Sequence, residues 1–352
     1  MRRNRQSAQV SLAFLIASAI TLGMLVLTIV LVGQSFRGME NAKITAASAT
    51  ARQLAVSVDD RIRAITGPPS TALAVLSHDP LAIADTLQQR LVRLPVVADI
   101  LDSSDIVSAV YAGYANGDFF LLRKIRSSGA TQFPDAPTNA QYLLQSITRA
   151  ADGKSQSMWH FYDAGRTLLE RRTPSDYHFD PRDRGWYELA DASSNTKLTA
   201  PYVFFTTGET GLTLSRRQAI AKGMDGNTVF GIDVTVTDLS TQLAELRQTP
   251  GTRIAIVNAE GSPLAHTGPD ATHSGAISDS AEPQELYDDA ITAVLDHDSS
   301  QVSPEQVNSF TTENRDWYGM TEPLESLDRE NLKIAVAIPA DELLADVWAA
   351  LT

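Results

Sequence analysis

The chain has 352 residues, enough for two or three structural units with a substantial apolar core. Its 29 Lys and Arg against 42 Asp and Glu give a net charge of −13, concentrated at one end: the stretch from Gly268 to Thr352 holds 18 acidic and 3 basic residues, −15 by itself. With that charge distribution a nucleic-acid partner is not expected, since phosphate binding needs a clustered basic face, and the absence of cysteine excludes a disulfide scaffold, a thiol nucleophile and a cysteine metal site.

Val10 to Val32 is an uncharged apolar run long enough to cross a bilayer. Arg2, Arg3 and Arg5 precede it, so the positive-inside rule keeps the amino terminus cytoplasmic and exports the residues after the run. A cleaved signal peptide also begins basic and apolar. This run is longer than a usual signal core, however, and leads through Gln34 and Phe36 into a helical pattern, so an uncleaved anchor is expected. Ala47, Ala51, Leu54, Val58, Ile62 and Ile65 then recur in steps of three and four, one apolar stripe along a helix. The helix is expected to stop at Gly67-Pro68-Pro69. Its stripe can pack on the chain's own core, form a homodimer seam with a second copy, or do both.

Asp79 to Leu94 returns to helical spacing at Leu81, Ile83, Leu87, Leu91 and Leu94. Val107–Tyr114 and Asp118–Ile125 then read as strands around Asn116-Gly117, a hairpin signal. Ser157–Tyr162 and Arg166–Arg171 form a second hairpin around Asp163-Ala164-Gly165. Strands are expected near Thr199–Phe205, Gly211–Gln218 and Thr228–Val236, and a helix at Leu239–Arg247. Thr249-Pro250-Gly251 marks a boundary. A smaller unit comes next, with strands at Arg253–Asn258, Gln306–Thr311, Trp317–Glu322 and Lys333–Ile338, a turn at Glu260-Gly261 and a helix at Glu285–Leu295. Thr267 to Pro283 is rich in Gly, Ser, Ala and Asp and reads as a loop, and Asp341 begins another helix. The layout is α+β, with mostly antiparallel sheet.

Phe179 to Asp233 carries the chemistry. Arg184, Trp186 and Tyr187 fall within four residues in FDPRDRGWYELA, Tyr202 lies beyond them in PYVFFTTGETGLTLSRR, and Asp233 lies near the end of an apolar strand. A guanidinium suits a carboxylate, and aromatic rings wall a pocket while offering polar edges. The DPRDRGWY and PYVFFTTGETGLTLSRR segments resemble the extracytoplasmic double Cache sensors of bacterial transmembrane receptors, the second segment most of all those placed before adenylate/guanylate cyclase domains. The likeness covers nearly everything after the apolar run. It implies an N-terminal transmembrane helix continuing into a long helix, then two PAS-like antiparallel-sheet Cache modules, the larger membrane-distal and the smaller membrane-proximal. The corresponding bounds are a cytoplasmic tail at 1–9, a transmembrane helix at 10–33, a juxtamembrane helix at 34–66, the distal module at 67–248, the proximal module at 249–339 and an output helix from 340 to 352.

In the amino-acid- and amine-binding members of that family, an Arg-x-Trp-Tyr element, a Tyr-x-Asp and a later strand-end Asp form the ligand site. Arg184, Trp186, Tyr187, Tyr202 and Asp233 match that pattern. Phe204 stands where the family has the Asp of Tyr-x-Asp, and Phe179 where it commonly has Tyr. A ligand ammonium wants more than one anionic or aromatic partner, so a carboxylate or other small polar metabolite held by Arg184 ranks above an α-amino acid. The competing reading makes Trp186 and Tyr187 core aromatics and pairs Arg184 with Asp180 or Asp183.

No catalytic motif stands beside this. Gly153-Lys154-Ser155 lacks the earlier glycine of a phosphate loop, with Thr148 in its place. Ser194-Asn195-Thr196-Lys197 lacks its Lys-Thr-Gly partner. The six histidines are scattered, and His297 between Asp296 and Asp298 reads as a solvated acidic turn. No cofactor or metal is implied. A sensor that signals inward needs a second crossing, so the chain is expected to be part of a longer inner-membrane receptor with its sensor in the periplasm. A cyclase output is expected, the alternatives being an HD-type phosphodiesterase, a histidine kinase or a chemoreceptor. An anchored periplasmic hydrolase or a purely structural dimerisation stalk is the remaining alternative.

Overall fold

The computed structural model describes residues 12–125, 133, 135–150, 153–175, 177–191, 195–218, 228–259, 261–268, 289–300, 307–326 and 332–343. The expected tail at 1–9, most of the loop from Thr267 to Pro283, Glu260 of the expected turn, the start of the helix expected from Glu285, and the chain beyond 343 lie outside these residues.

Helix α1 (Leu12–Leu76) runs unbroken for 65 residues, about 100 Å at 1.5 Å per residue. Its first third leaves Ile16, Leu22, Met24, Leu27 and Ile29 more than half exposed. Among the described residues it is the one helix long and apolar enough to cross a membrane. Further along, the stripe of Ala47, Ala51, Leu54, Val58 and Ile62 is at most 1 % exposed. Of the two uses open to that stripe, packing on the chain's own core is the one observed.

The helix does not end at Gly67-Pro68-Pro69. Both prolines lie inside it, each removing a backbone donor, and an interior proline costs about 3 kcal/mol or more. Gly67 has no Cβ to meet the ring of Pro68, which relieves the restriction on a residue before proline. The turns beyond carry Leu73 and Leu76, both 0 % exposed, into the core beneath the larger sheet. Burying each leucine contributes about 1.5–3 kcal/mol, which offsets the interruption. Leu76→Ala is therefore expected to lower unfolding free energy by about 2–5 kcal/mol in urea melts. A loss well under 1 kcal/mol would mean that these turns are not anchored as described.

The helix expected from Asp79 to Leu94 is instead three short pieces: a 3₁₀ turn at Pro80–Ile83, α2 (Leu87–Val92) and α3 (Leu94–Asp102). Asp79 caps the first by accepting from the Leu81 amide at 2.8 Å. Thr86 and Gln89 then form a capping box that starts α2 afresh. Caps with this spacing reset a helix even where the apolar period continues.

Nine strands form the larger sheet: β1 (Val107–Tyr114), β2 (Phe119–Lys124), β3 (Tyr142–Arg149), β4 (Ser155–Tyr162), β5 (Leu168–Arg172), β6 (Lys197–Leu198), β7 (Tyr202–Val203), β8 (Thr210–Arg217) and β9 (Thr228–Thr235). Their order is β5-β4-β3-β2-β1-β9-β8-β6, with β7 also on β8, and every pairing is antiparallel. Both expected hairpins form, the first turning at Gly117 with φ of 83°. Alternation splits the sheet's residues between two faces. Val110, Ala112, Phe120, Leu122, Leu144 and Ile232 pack against α3 and the end of α1. Ala109, Tyr111, Phe119, Leu121 and Ile147 face the other way, and the candidate site lies on that face.

After α5 (Val236–Ala244), five strands build the second sheet: β10 (Arg253–Val257), β11 (Pro263–His266), β12 (Asn308–Thr312), β13 (Arg315–Pro323) and β14 (Lys333–Pro339), in the order β11-β10-β14-β13-β12. Ile254, Ile256, Met320, Ile334 and Val336 pack on the stripe of α1 and on Leu239 and Leu243 of α5. Trp317, Ala335 and Ala337 pack on α6 (Asp289–Ser300). The architecture is α+β, a long helix bearing two antiparallel, PAS-like sheets.

Candidate functional site

The FDPRDRGWY segment folds as it does because its polar residues cap one another. Asp180 accepts from the Arg182 amide at 3.0 Å and opens a 3₁₀ turn at Pro181–Asp183. The Asp180 carboxylate also takes Arg182 Nη2 at 2.7 Å and Arg149 Nη2 at 3.0 Å. Hydrogen bonding to Arg182 holds that carboxyl below its ordinary range. Asp180 is thus already committed to other cations, and no ion pair joins Arg184 to Asp180 or Asp183. Gly185 then starts the single turn α4 (Gly185–Leu189), which turns Trp186 inward, where it is 3 % exposed. Its indole stands 4.8 Å from the Tyr111 ring at 68° and rests on Gly113, where a Cβ would come within 2.7 Å of the indole edge.

These elements, β7 with its flanks, and the floor strands β1, β2 and β9 enclose a cavity of about 440 Å³. Six of the seven residues singled out in the sequence line it: Phe179, Arg184, Trp186, Tyr202, Phe204 and Asp233. Tyr187 does not. Its ring packs against Trp186 at 5.6 Å and under the Arg217 guanidinium at 5.3 Å. Arg217 also donates to the Ala190 carbonyl at 2.8 Å, so Tyr187 and Arg217 hold α4 in place from behind.

Arg184 enters the cavity between two rings, its guanidinium carbon 4.7 Å from the Phe179 centroid and 4.6 Å from that of Phe205. Its Nε is buried without a hydrogen bond. Phe179, where tyrosine is the commoner choice, thus supplies a ring face to the cation. Phe204 is 4 % exposed and packs at the cavity edge 5.3 Å from the Tyr202 ring, over Gly211, where a Cβ would collide with it.

Asp233 lies at the floor, 5 % exposed. Its Oδ1 accepts from the Tyr111 hydroxyl and from Thr213 Oγ1, each at 2.6 Å. Since Thr213 donates to the acid, its oxygen accepts from the Tyr202 hydroxyl at 2.6 Å. Tyr202 is thereby tied to Asp233 through one threonine. The Tyr111 ring reaches this position by lying over Gly231, where any Cβ would overlap it. Burial raises the Asp233 carboxyl to about 6, against the pull of the hydroxyl hydrogen bonds and of Arg123. The same burial pushes the Tyr111 and Tyr202 phenols upward, so both stay protonated donors. The second oxygen of Asp233 takes no hydrogen bond from a described residue.

Four contributors had no sequence signal of their own. Tyr111 and Thr213 look like ordinary strand residues, Arg123 reads as the polar end of FFLLRK, and Tyr177 lies upstream of the motif. Asp183 also lines the cavity, exposed at its mouth, so Asp233 is not the sole acid on the walls. A group of three or more His, Cys, Asp or Glu able to hold a metal does not occur among the described residues.

A long helix bearing two antiparallel sheets, with an aromatic-walled cavity on the larger, is the fold seen in solved ligand-binding domains of chemoreceptors. The ligand-binding domain of the Pseudomonas fluorescens chemoreceptor CtaA in complex with L-serine superposes with a TM-score of 0.51 at 18 % identity, over 84 % of this chain and 97 % of that one. The sensory domain of the Campylobacter jejuni chemoreceptor Tlp3 with isoleucine bound gives 0.53 at 14 % identity, over 86 % and 97 %. Among curated proteins, Adenylate cyclase 1 of Rhizobium meliloti (strain 1021) is 27 % identical over 347 residues, 95 % of this chain and 50 % of that protein. Methyl-accepting chemotaxis protein PscA of Pseudomonas syringae pv. tomato is 33 % identical over 93 residues, 26 % of this chain and 14 % of that protein. The chain thus spans half the length of the first of these relatives and a smaller share of the second. No protein-family model matches the chain.

Proposed function

We propose that this chain is the ligand-sensing part of a membrane-anchored receptor and that it binds a small carboxylate-bearing metabolite in the cavity on the larger sheet. The observation that carries this is Arg184, a guanidinium in an aromatic-walled cavity with a buried Nε and no acid paired to it among the described residues. A fork of donors in that setting suits a carboxylate in two parallel hydrogen bonds. A thermal-shift series on the full chain in detergent, with small mono- and dicarboxylates, amino acids and amines, tests it. Carboxylates are expected to raise the melting temperature in a saturable way; a series in which none does so overturns the reading.

One observation favours a second reading, an α-amino acid. Asp233 keeps an oxygen without a donor among the described residues, and CtaA and Tlp3 were seen with L-serine and isoleucine. Phe204 weighs against it, because it replaces the second acid an ammonium would use. The same series separates the two: an amino acid should then outperform the carboxylate that lacks its amine.

The exposed apolar start of α1 serves in this proposal as the anchor, with both sheets in the periplasm and the larger one distal. The output is a cytoplasmic nucleotide cyclase, on the strength of the 27 % identity to Adenylate cyclase 1. Ligand contacts favouring one arrangement of the packed helices need shift α1 by only about 1–2 Å. The receptor is a homodimer through α1, using the side away from the buried stripe, where Val56 is 56 % exposed. Because the chain lacks cysteine, Val56→Cys gives a single thiol. It is expected to yield a covalent dimer on mild oxidation in membranes, while a cysteine at buried Val58 stays monomeric. No crosslink at Val56 would remove that face from the interface.

A further inference from the structure

Arg123 is the least expected group in the cavity. It sits on β2 at 6 % exposure, its Nε is buried without a hydrogen bond, and among the described residues no acid forms an ion pair with it. Strand register fixes its place. Ala109 of β1 pairs with Asp233 on one side and with Arg123 on the other, so the acid and the guanidinium flank one methyl group on the same sheet face. Adjacent strands are about 4.8 Å apart, which puts their Cα atoms about 10 Å from each other. Tyr177 stands within electrostatic reach of both Arg123 and Arg184. The cavity therefore carries two guanidinium groups against one buried carboxylate, and that carboxylate already accepts two hydroxyl protons on one oxygen.

We propose that Arg123 is a second anion-binding residue and that the ligand is a small dicarboxylate, one carboxylate on Arg184 and the other on Arg123. This rests on the reading of the cavity as a carboxylate site. Arg123 feels the Asp233 charge across Ala109 but forms no ion pair with it, and a buried guanidinium without a direct partner is unfavourable; a second ligand carboxylate supplies that partner in a low-dielectric setting, where paired ions attract most strongly. Selectivity is the direct consequence, because a monocarboxylate of the same length leaves Arg123 without a direct anionic partner and gains only the contact at Arg184.

Titration of the full chain in detergent with succinate and glutarate, against butyrate and valerate, tests the inference. Charge-assisted hydrogen bonds of this kind correspond to about 10- to 150-fold in affinity, so each dicarboxylate is expected to bind at least about ten times more tightly than its monocarboxylate partner. Arg123→Gln is expected to remove that preference, bringing succinate and glutarate to the affinities of butyrate and valerate, and an unchanged circular dichroism melt shows that the variant is folded. Equal binding of mono- and dicarboxylates by the unaltered chain overturns the dicarboxylate inference and leaves the carboxylate site standing. A preference that survives Arg123→Gln overturns the role of Arg123. Binding by neither class removes the carboxylate reading itself, and this inference with it.

Discussion

Arg184→Ala abolishes the ligand-induced rise in melting temperature and weakens carboxylate binding by about 10- to 150-fold, the range expected when one charge-assisted partner is removed. The ligand-free protein changes little. Arg184 has no ion pair among the described residues, so its removal leaves no acid stranded, in contrast to a buried pair cut in half. What the fold loses is the packing of the guanidinium between Phe179 and Phe205, about 0.5–1 kcal/mol for each partly exposed cation–π contact. Binding therefore drops sharply while stability drops slightly. Calorimetric titration and circular dichroism melts read the two quantities separately. Retention of the full ligand-induced shift in the variant would place the site elsewhere.

Asp233→Asn stabilises the ligand-free protein at neutral pH. The Asp233 carboxyl lies near 3.8 in its ordinary state and is raised to about 6 by burial. The folded state thus holds a proton that the unfolded chain releases, and between those two values stability increases as pH falls. Fully expressed, the effect approaches 3 kcal/mol, at 1.36 kcal/mol per pH unit. The asparagine amide is neutral at every pH, and its oxygen can still accept from Tyr111 and Thr213. Urea melts from pH 4 to pH 8 should show Asp233→Asn ahead by about 2–3 kcal/mol at pH 7.5 and level with the parent near pH 4. A gap that does not change with pH would mean that Asp233 is not the group that titrates.

The sequence made much of this site readable because its chemistry is local. Arg184 and Trp186 fall within one turn, and Pro181, Asp180 and Gly185 dictate that turn by capping and backbone preference. Phe204 stood out because it replaces an acid in a recognisable pattern, and it does line the cavity. The missing half of the site comes from strand register. Tyr111 and Thr213 meet Asp233, and Arg123 comes to lie one strand beyond it on the same face, because β8, β9, β1 and β2 are neighbours in the sheet. A residue in a single strand carries no mark of which row it will join. Gly231 was one available hint, since a glycine inside an apolar strand signals a close approach, here by the Tyr111 ring.

The fold shows the same division. Hairpins at Asn116-Gly117 and Asp163-Ala164-Gly165 were evident from turn chemistry. Strand β3 was not, because Gln145 and Ser146 interrupt its apolar run although both are buried. The end of α1 misled because Pro68 and Pro69 are strong local stops. Tertiary burial of Leu73 and Leu76 outweighs them, and no window around the prolines contains that information.

The most direct test of the cavity as the ligand site is fluorine NMR of the full chain labelled with 5-fluorotryptophan, its signals assigned through Trp186→Phe and Trp317→Phe. Trp186 lines the cavity, whereas Trp317 is buried in the second sheet against α6. Titration with the carboxylate that gives the largest thermal shift should move the Trp186 resonance saturably, at the concentration where the melting temperature rises. A stationary Trp186 resonance while the protein is being stabilised would contradict the account.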